Sequence, residues 1–160
     1  MPDLRDCQYI QCLLRSLEGL DADSVLVLFG NTPSQRSLPK NVINIGYTDS
    51  REDLARLYSA ADVFVNCTRE DSLSLINIEA QACGTPVITF NNTGARETVS
   101  PTMESLVNTG DGTILLERIR ELKAKPNAIS RDAVRNRIIQ KFDKNVNYKK
   151  YISLYHEIVR

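Results

Sequence analysis

The fold is decided by the stretch from Arg69 to Asn92, which reads REDSLSLINIEAQACGTPVITFNN. Its first part, Arg69–Ser74, is polar, as expected for a loop that enters a helix. Leu75, Ile78 and Ala82 then recur at helical spacing, so they predict a helix with these three side chains on its inward face.

A tight turn and a buried strand follow this helix. Gly84 stands where a helix commonly ends in a left-handed glycine, and Pro86 restarts the chain. Val87–Phe90 is a short run of β-branched and aromatic residues, which is typical of a parallel strand buried on both faces. The stretch therefore predicts a loop, a helix, a turn and a central strand.

Two acidic residues flank the start of the predicted helix. Asp71 lies in the loop, and Glu79 follows eight residues later, about one turn inside the helix. The start of a helix carries unpaired N–H groups and a partial positive charge, which together suit a phosphate group. Acids beside such a site do not bind the phosphate themselves, but they can accept hydrogen bonds from sugar hydroxyls nearby.

This segment resembles the donor-binding motif of the retaining GT-B glycosyltransferases of family 4, the glycosyl transferases group 1. That motif has an acid, seven residues, a Glu, and then Ala-x-Ala-x-Gly-x-Pro-Val. An acid pair alone is common on solvated helices, whereas its combination with AQACGTPV is specific. Ser72 and Ser74 replace the family's usual glycines and make the loop stiffer. The matching positions are Asp71, Glu79, Ala80, Ala82, Gly84, Pro86 and Val87.

The resemblance implies roles for the two acids. It assigns Glu79 to the ribose hydroxyls of the donor, where the plain alternative is a solvated helix acid. It assigns Asp71 to the donor hexose and to catalysis, where the alternative is an acid favoured by the helix dipole.

The resemblance also implies a set of binding residues around these acids. Backbone N–H groups of the loop and the first helical turn would bind the pyrophosphate, the residues after the second strand would bind the nucleobase, and a basic residue near the start of the chain would contact the phosphates. The alternatives are helix capping, a rim aromatic residue without a ligand, and a solvated cation. The residues are Ser72, Leu73, Ser74, Leu75, Gly46, Tyr47 and Arg5.

The remaining chain alternates short apolar strands with amphipathic helices, which predicts a doubly wound parallel sheet. Strands are predicted at residues 24–29, 42–45, 62–67 and 105–107, and a first helix around residues 9–17. Ser50 and Asp53 predict a helix start, and Gly110-Asp111 predict another. Tyr148, Tyr151 and Tyr155 form a stripe on the last helix that predicts a core-facing side. With the resemblance, the expected fold is a Rossmann-like α/β domain, the C-terminal half of a GT-B fold.

The start of the chain departs from the family pattern. Family members open this half with a strand carrying an Arg and then a Lys, whereas residues 1–5 lead directly to the first predicted helix. We therefore expect that the family's first strand is missing, which leaves a gap or an open edge in the sheet. We also expect one donor-binding domain over residues 1–160, without an N-terminal acceptor domain and inactive by itself.

Composition excludes several classes of function. The 160 residues carry 20 basic and 20 acidic side chains, so no net field favours nucleic acid or a membrane surface. No apolar run approaches the length of a membrane-spanning helix. The four cysteines show no metal-binding spacing and suit reduced thiols. We expect a cytoplasmic protein that needs no metal or other cofactor.

The resulting hypothesis is a domain that binds a nucleotide-diphosphate sugar for retaining hexosyl transfer in bacterial polysaccharide or glycan biosynthesis. Its expected partners are the nucleotide-sugar donor and, through the absent domain, a glycan or lipid-linked acceptor, with peripheral membrane association open in the intact enzyme. The alternatives are a stand-alone nucleotide-binding module and a sugar-nucleotide epimerase of the same fold.

Overall fold

The computed structural model describes residues 21–30, 38–99, 105–126 and 128–159. The predictions for Arg5, for the family's missing first strand and for the first helix at residues 9–17 concern residues outside these ranges. The described strands are β1 (Leu26–Phe29), β2 (Val42–Gly46), β3 (Phe64–Asn66), β4 (Val87–Phe90) and β5 (Leu106–Val107). The described helices are α1 (Arg51–Ala60), α2 (Leu75–Ala82), α3 (Gly112–Ala124), α4 (Arg131–Phe142) and α5 (Lys144–Ile158), with a 3-10 helix at Ala95–Thr98.

All described strand pairs are parallel, as the alternation of strands and helices predicted. β1 pairs with β2, with Leu26 opposite Val42. β4 lies between β3 and β5, with Asn66 opposite Thr89 on one side and Val107 opposite Phe90 on the other. The loops that follow β2, β3 and β4 therefore leave from the carboxyl ends of parallel strands, where α/β sheets bind their ligands.

Helices cover both faces of the three-stranded sheet. Ile88 and Phe90 of β4 pack with Leu115 of α3. Val87, which points to the opposite face, packs with Tyr58 of α1 and Ala80 of α2. Successive residues of a strand point to opposite faces, so β4 is buried between two helical layers, which confirms the predicted central strand and the doubly wound arrangement.

The described strands form two sheets rather than one. No ladder joins β1 to β3 within the described ranges, and the two strands meet through aromatic side chains. Phe29 of β1 has its ring centroid 6.1 Å from that of Phe64 of β3. Tyr58 contacts both rings edge-on, at 5.7 Å from Phe29 and 5.3 Å from Phe64. These three rings pack the two sheets against each other without a backbone ladder.

The inward face of α2 differs from the prediction. Leu75 is 59% exposed, while the buried residues of this helix are Asn77, Ala80 and Gln81. The prediction was wrong because it assumed that apolar side chains mark the inward face, whereas this helix docks on the sheet through hydrogen-bonded amides. The predicted start at Ser74 or Leu75 and the left-handed Gly84 after the helix are confirmed.

Helix α4 supplies cations to the ends of two other helices. The Arg131 guanidinium donates to the carbonyls of Ser59 and Ala61 at the end of α1. Arg135, one turn later, donates to the carbonyl of Ala82 at the end of α2, at 2.9 Å. Both side chains satisfy carbonyls that a helix leaves unpaired and complement its dipole. Helix α4 thereby fixes the C-terminal ends of α1 and α2. The N-terminal ends of these two helices follow the loops at the carboxyl edge of the sheet.

The prediction that the tyrosine stripe of α5 packs in the core was wrong. Tyr148, Tyr151 and Tyr155 are each more than 60% exposed, and α5 has no buried residue. None of the other described elements covers this face, so its apolar side chains remain accessible in the described part of the chain.

Candidate functional site

The start of α2 lies at the carboxyl end of β3 and presents unpaired N–H groups. Ser74 is the N-cap residue, but its side chain makes no capping hydrogen bond. Its hydroxyl oxygen instead accepts a hydrogen bond of 2.8 Å from the side-chain amide of Asn66. Among the described residues, no acceptor pairs with the N–H groups of Leu75 and Ile76. The first turn of α2 also contains no acidic side chain, so these donors are free for an external anion.

Asp71 lies half-buried in the loop before α2. Its Oδ1 accepts a hydrogen bond of 3.2 Å from the N–H of Leu73, which closes a turn within the loop. Its backbone carbonyl accepts a hydrogen bond of 3.4 Å from the Thr93 hydroxyl. These hydrogen bonds hold Asp71 in the loop four residues before Leu75, the first of the two N–H groups that have no acceptor among the described residues.

The turn after β4 packs directly on this loop. The Asn92 side-chain amide donates to the Thr68 carbonyl at 2.7 Å, and its oxygen accepts from the N–H of Ala95 at 2.8 Å. Gly94 is buried, and a side chain there would overlap the backbone of Asp71 and Ser72. The two loops thus meet backbone to backbone.

Glu79 lies in the second turn of α2, as predicted, and its side chain is exposed. Its Oε2 accepts a hydrogen bond of 3.3 Å from the hydroxyl of Tyr58, which is only 3% exposed. Burial, and secondarily the neighbouring Glu79 carboxylate, raises the pKa of Tyr58 well above its usual range. The Tyr58 hydroxyl therefore stays protonated and continues to donate to Glu79.

Gly46 is the last residue of β2, and Tyr47 follows it. Tyr47 is 74% exposed and lines a cavity of about 500 Å³ between the end of β2 and α1, together with Leu57 and Ala60. Neither Asp71 nor Glu79 contributes to this cavity. The structure thus brings Asp71, Ser72, Leu73, Ser74 and Leu75 together in one segment, with Glu79 one turn further along α2, whereas Tyr47 lines a separate hollow.

The model of one protein family matches this sequence. The family is described as glycosyl transferases group 1, and the match covers residues 6–125. The chain belongs to this family.

Curated glycosyltransferases share part of this domain. D-inositol 3-phosphate glycosyltransferase of Mycobacterium sp. (strain KMS) is 38% identical over 88 residues, 48% of this chain and 20% of the relative. GDP-mannose-dependent monoacylated alpha-(1-6)-phosphatidylinositol monomannoside mannosyltransferase of Corynebacterium glutamicum is 35% identical over 82 residues, 47% of this chain and 22% of the relative. The match thus spans about a fifth of the length of these curated relatives.

Solved structures show the same fold over nearly the whole chain. Sucrose-phosphate synthase of Thermosynechococcus elongatus superposes with a TM-score of 0.81 at 28% identity, covering 95% of this chain and 42% of that chain. HepE of Anabaena, solved in complex with UDP, gives a TM-score of 0.79 at 18% identity, covering 98% and 47%. The likeness confirms the expected fold, a Rossmann-like domain of the GT-B type.

Four residues that shape the candidate site were not among the site residues predicted from the sequence. These residues are Tyr58, Asn66, Asn77 and Gly94. An asparagine at the end of an apolar strand and another inside an apolar helix are the signals that could have found two of them, because both side chains must find buried partners.

Metal-binding clusters and membrane-spanning helices are absent from the part of the chain that the structure describes. No group of three or more His, Cys, Asp or Glu side chains could hold a metal ion there. None of the described helices is long and apolar enough to span a membrane. Of the two cysteines within the described ranges, Cys67 is buried and Cys83 is half-buried.

Proposed function

We propose that this chain is the nucleotide-sugar donor domain of a retaining glycosyltransferase and that the start of α2 binds the donor pyrophosphate. The observation that carries the proposal is that the N–H groups of Leu75 and Ile76 have no acceptor among the described residues. Such groups, together with the helix dipole, form a binding site for a phosphate. The Ser74 hydroxyl makes no capping hydrogen bond to them and instead accepts a hydrogen bond from Asn66.

The two acids support a sugar nucleotide over a simple phosphate ligand. Glu79 offers an exposed carboxylate whose second oxygen, Oε1, is left for a ribose hydroxyl while Oε2 accepts from Tyr58. Asp71, in the loop before α2, would accept a hydrogen bond from the donor hexose. We propose that Glu79 binds the ribose and that Asp71 acts on the hexose during transfer.

The relatives support a nucleoside diphosphate sugar as the donor class. One relative is named as dependent on GDP-mannose, and HepE has been solved with UDP-glucose. In the proposed enzyme, negative charge that develops on the leaving diphosphate would be met by the N–H groups of α2. The transfer itself needs a second domain that presents the hydroxyl of a glycan or lipid-linked acceptor, so we expect this chain alone to bind the donor weakly without transferring its sugar.

Titration of the chain with UDP-, GDP- and ADP-sugars, followed by NMR or calorimetry, tests the proposal. We expect weak binding to at least one of them, with the largest amide shifts at Leu75 and Ile76. Addition of EDTA should leave both binding and melting temperature unchanged, because the proposed site uses no metal. A chain that bound none of these sugars at millimolar concentration would contradict the proposal.

A proline at the first helical position offers a sharper test of the N–H groups. Leu75→Pro removes one donor at a position where helices accept proline without a loss of hydrogen bonds, and Leu75 buries little apolar surface. We expect Leu75→Pro to weaken diphosphate binding about tenfold, in line with the loss of one hydrogen bond to a charged group. Leu75→Ala, which keeps the N–H group, is the matched control and should bind like the wild type.

A further inference from the structure

A buried network of polar side chains lies directly beneath the start of α2. The five side chains are each at most 5% exposed, and they come from three segments: the end of β3, helix α2 and the 3-10 helix after β4. Buried polar groups cost stability unless they are hydrogen-bonded, so their partners decide how these three segments fit together. The residues are Asn66, Ser74, Asn77, Gln81 and Thr98.

The hydrogen bonds of the network run in one direction from β3 to the 3-10 helix. The Asn66 amide donates to the hydroxyl of Ser74 at 2.8 Å and to the side-chain oxygen of Asn77 at 3.0 Å. The Asn77 amide donates to the Thr98 hydroxyl at 3.0 Å, which in turn donates to the Ala95 carbonyl at 2.7 Å. Each amide and hydroxyl thereby has a defined partner, and the start of α2 is tied to the turn after β4.

Apolar packing within the described residues does not fix this end of α2. Leu73, Leu75 and Ile76 are 41%, 59% and 39% exposed. Hydrogen bonds depend on distance and angle far more strongly than apolar contacts do. The direction in which the first N–H groups of α2 point is therefore set by the polar network.

We infer that Asn77 and Thr98 are positioning residues, which hold the N–H groups of Leu75 and Ile76 in the orientation that binds a diphosphate. The inference rests on the proposed function, because it concerns the same phosphate site. Neither side chain is exposed, so neither touches the ligand. Both act through the start of α2, and the Asn66–Ser74 hydrogen bond of the same network keeps the Ser74 hydroxyl away from the N–H groups.

Substitutions at Thr98 separate positioning from stability. Thr98→Val keeps the shape of the side chain and removes the hydroxyl, whereas Thr98→Ser keeps the hydroxyl and removes a methyl group. Thr85→Val is the matched control. Thr85 is equally buried, and its hydroxyl donates a hydrogen bond to the Tyr58 carbonyl. Thr85 lies just before β4, however, at the amino end of the strands, whereas the start of α2 lies at their carboxyl end.

The experiment measures the affinity of each folded variant for UDP, GDP and inorganic pyrophosphate, with the amide shifts of Leu75 and Ile76 as a structural signature. We expect Thr98→Val to weaken pyrophosphate binding about tenfold, the effect of misaligning one hydrogen bond to a charged group, and to shift both amide signals without ligand. Thr98→Ser should bind like the wild type. Thr85→Val should lose stability but keep its affinity and both amide signals.

Three results would overturn the inference. Wild-type affinity in a folded Thr98→Val variant would show that the network does not orient the donors. Equal losses in Thr98→Val and Thr98→Ser would show a merely structural role. Failure of the wild-type chain to bind UDP, GDP or pyrophosphate would overturn the proposed function itself, and the inference with it.

A second variant covers the case in which Thr98→Val does not fold. Ser74→Ala removes the hydroxyl that accepts from Asn66, and it removes no helix cap, because the Ser74 side chain does not cap α2. We expect the same tenfold loss of pyrophosphate affinity with little change in helix content. Unchanged affinity in this variant would also contradict the inference.

Discussion

Glu79 has two partners in the proposed complex, and each binds a different oxygen of its carboxylate. The Tyr58 hydroxyl occupies Oε2 from the protein side, and the ribose is proposed to bind from the solvent side. A carboxylate held by a buried hydroxyl loses less rotamer freedom on binding than a fully solvated one. In the proposed complex, Tyr58 would therefore prepare Glu79 for the sugar, whereas the sequence alone indicated only the acid.

Replacement of Glu79 should weaken nucleotide binding more than it weakens the fold. Each hydrogen bond to a charged acceptor contributes about 1.5–3 kcal/mol, so we expect Glu79→Ala to lower affinity for a nucleoside diphosphate about tenfold or more. Glu79→Gln should lose less, since it keeps an oxygen for Tyr58 or the ribose. Calorimetric titration measures the effect, with Glu70→Ala as the control for an exposed acid nearby. Wild-type affinity in Glu79→Ala would refute the assignment of this residue.

Tyr58 should make the stability of the protein fall at alkaline pH. Its pKa is raised from the ordinary value of 10.0, chiefly by burial, so above pH 10 the unfolded chain releases this proton before the folded chain does. Unfolding then becomes easier as the pH rises, by at most about 1.4 kcal/mol per pH unit for one proton. Urea unfolding between neutral pH and the alkaline range should show this slope in the wild type. Tyr58→Phe should flatten it, and parallel curves for the two proteins would contradict the prediction.

Helix α2 shows where sequence reasoning succeeded and where it failed. The start at Leu75, the end before Gly84 and the buried strand that follows were predicted, because caps, glycines and apolar strands are local signals. The inward face was not predicted, because Asn77 and Gln81 are buried by partners that lie up to 21 residues away in the sequence. Periodicity describes one helix, whereas a polar network depends on three segments that only the fold brings together.

Gly94 lies where the turn after β4 contacts the loop before α2, and we expect this position to tolerate no side chain. Gly94 has an ordinary backbone conformation, with φ of −84°, so what it needs is space rather than conformational freedom. A Cβ atom there would overlap the backbone of Asp71 and Ser72. We expect Gly94→Ala to lower the free energy of unfolding by about 1–3 kcal/mol, as overpacking does, and to displace Asp71 and weaken donor binding.

The control for this substitution is Gly30→Ala. Gly30 has φ of 95° and open space around an added Cβ, so the substitution should cost only the strain of a left-handed residue, roughly 1–2 kcal/mol, and leave donor binding unchanged. Denaturant unfolding and nucleotide titration of both variants measure the difference. Donor affinity that survives in Gly94→Ala would show that the loop can move aside.

Among the described strands, no ladder joins β1 to β3, and this division was not predicted from the sequence. The absence of the family's first strand concerns residues outside the described ranges and stays a prediction. The described strands nevertheless form separate two- and three-stranded sheets, and the Phe29, Tyr58 and Phe64 rings span the division between them. Local patterns predicted each strand correctly, but the pairing of strands depends on which segments are near enough to form a ladder.

The edge of β1 that faces away from β2 has no strand partner within the described ranges, so we expect this chain to associate with itself at high concentration. The N–H groups of Leu26 and Gly30 donate toward β2 and its neighbour Asn41, so by the alternation of a strand the N–H group of Val27 points to the other edge. No described strand pairs with that edge, and an unpaired edge is a template for another chain.

We expect sedimentation velocity to show association that increases with concentration. Val27→Pro, which removes only the outward donor and suits an edge strand, should reduce it, while Val27→Ala, which keeps the N–H group, should not. A wild-type chain that stayed monomeric at every concentration would show that this edge is protected.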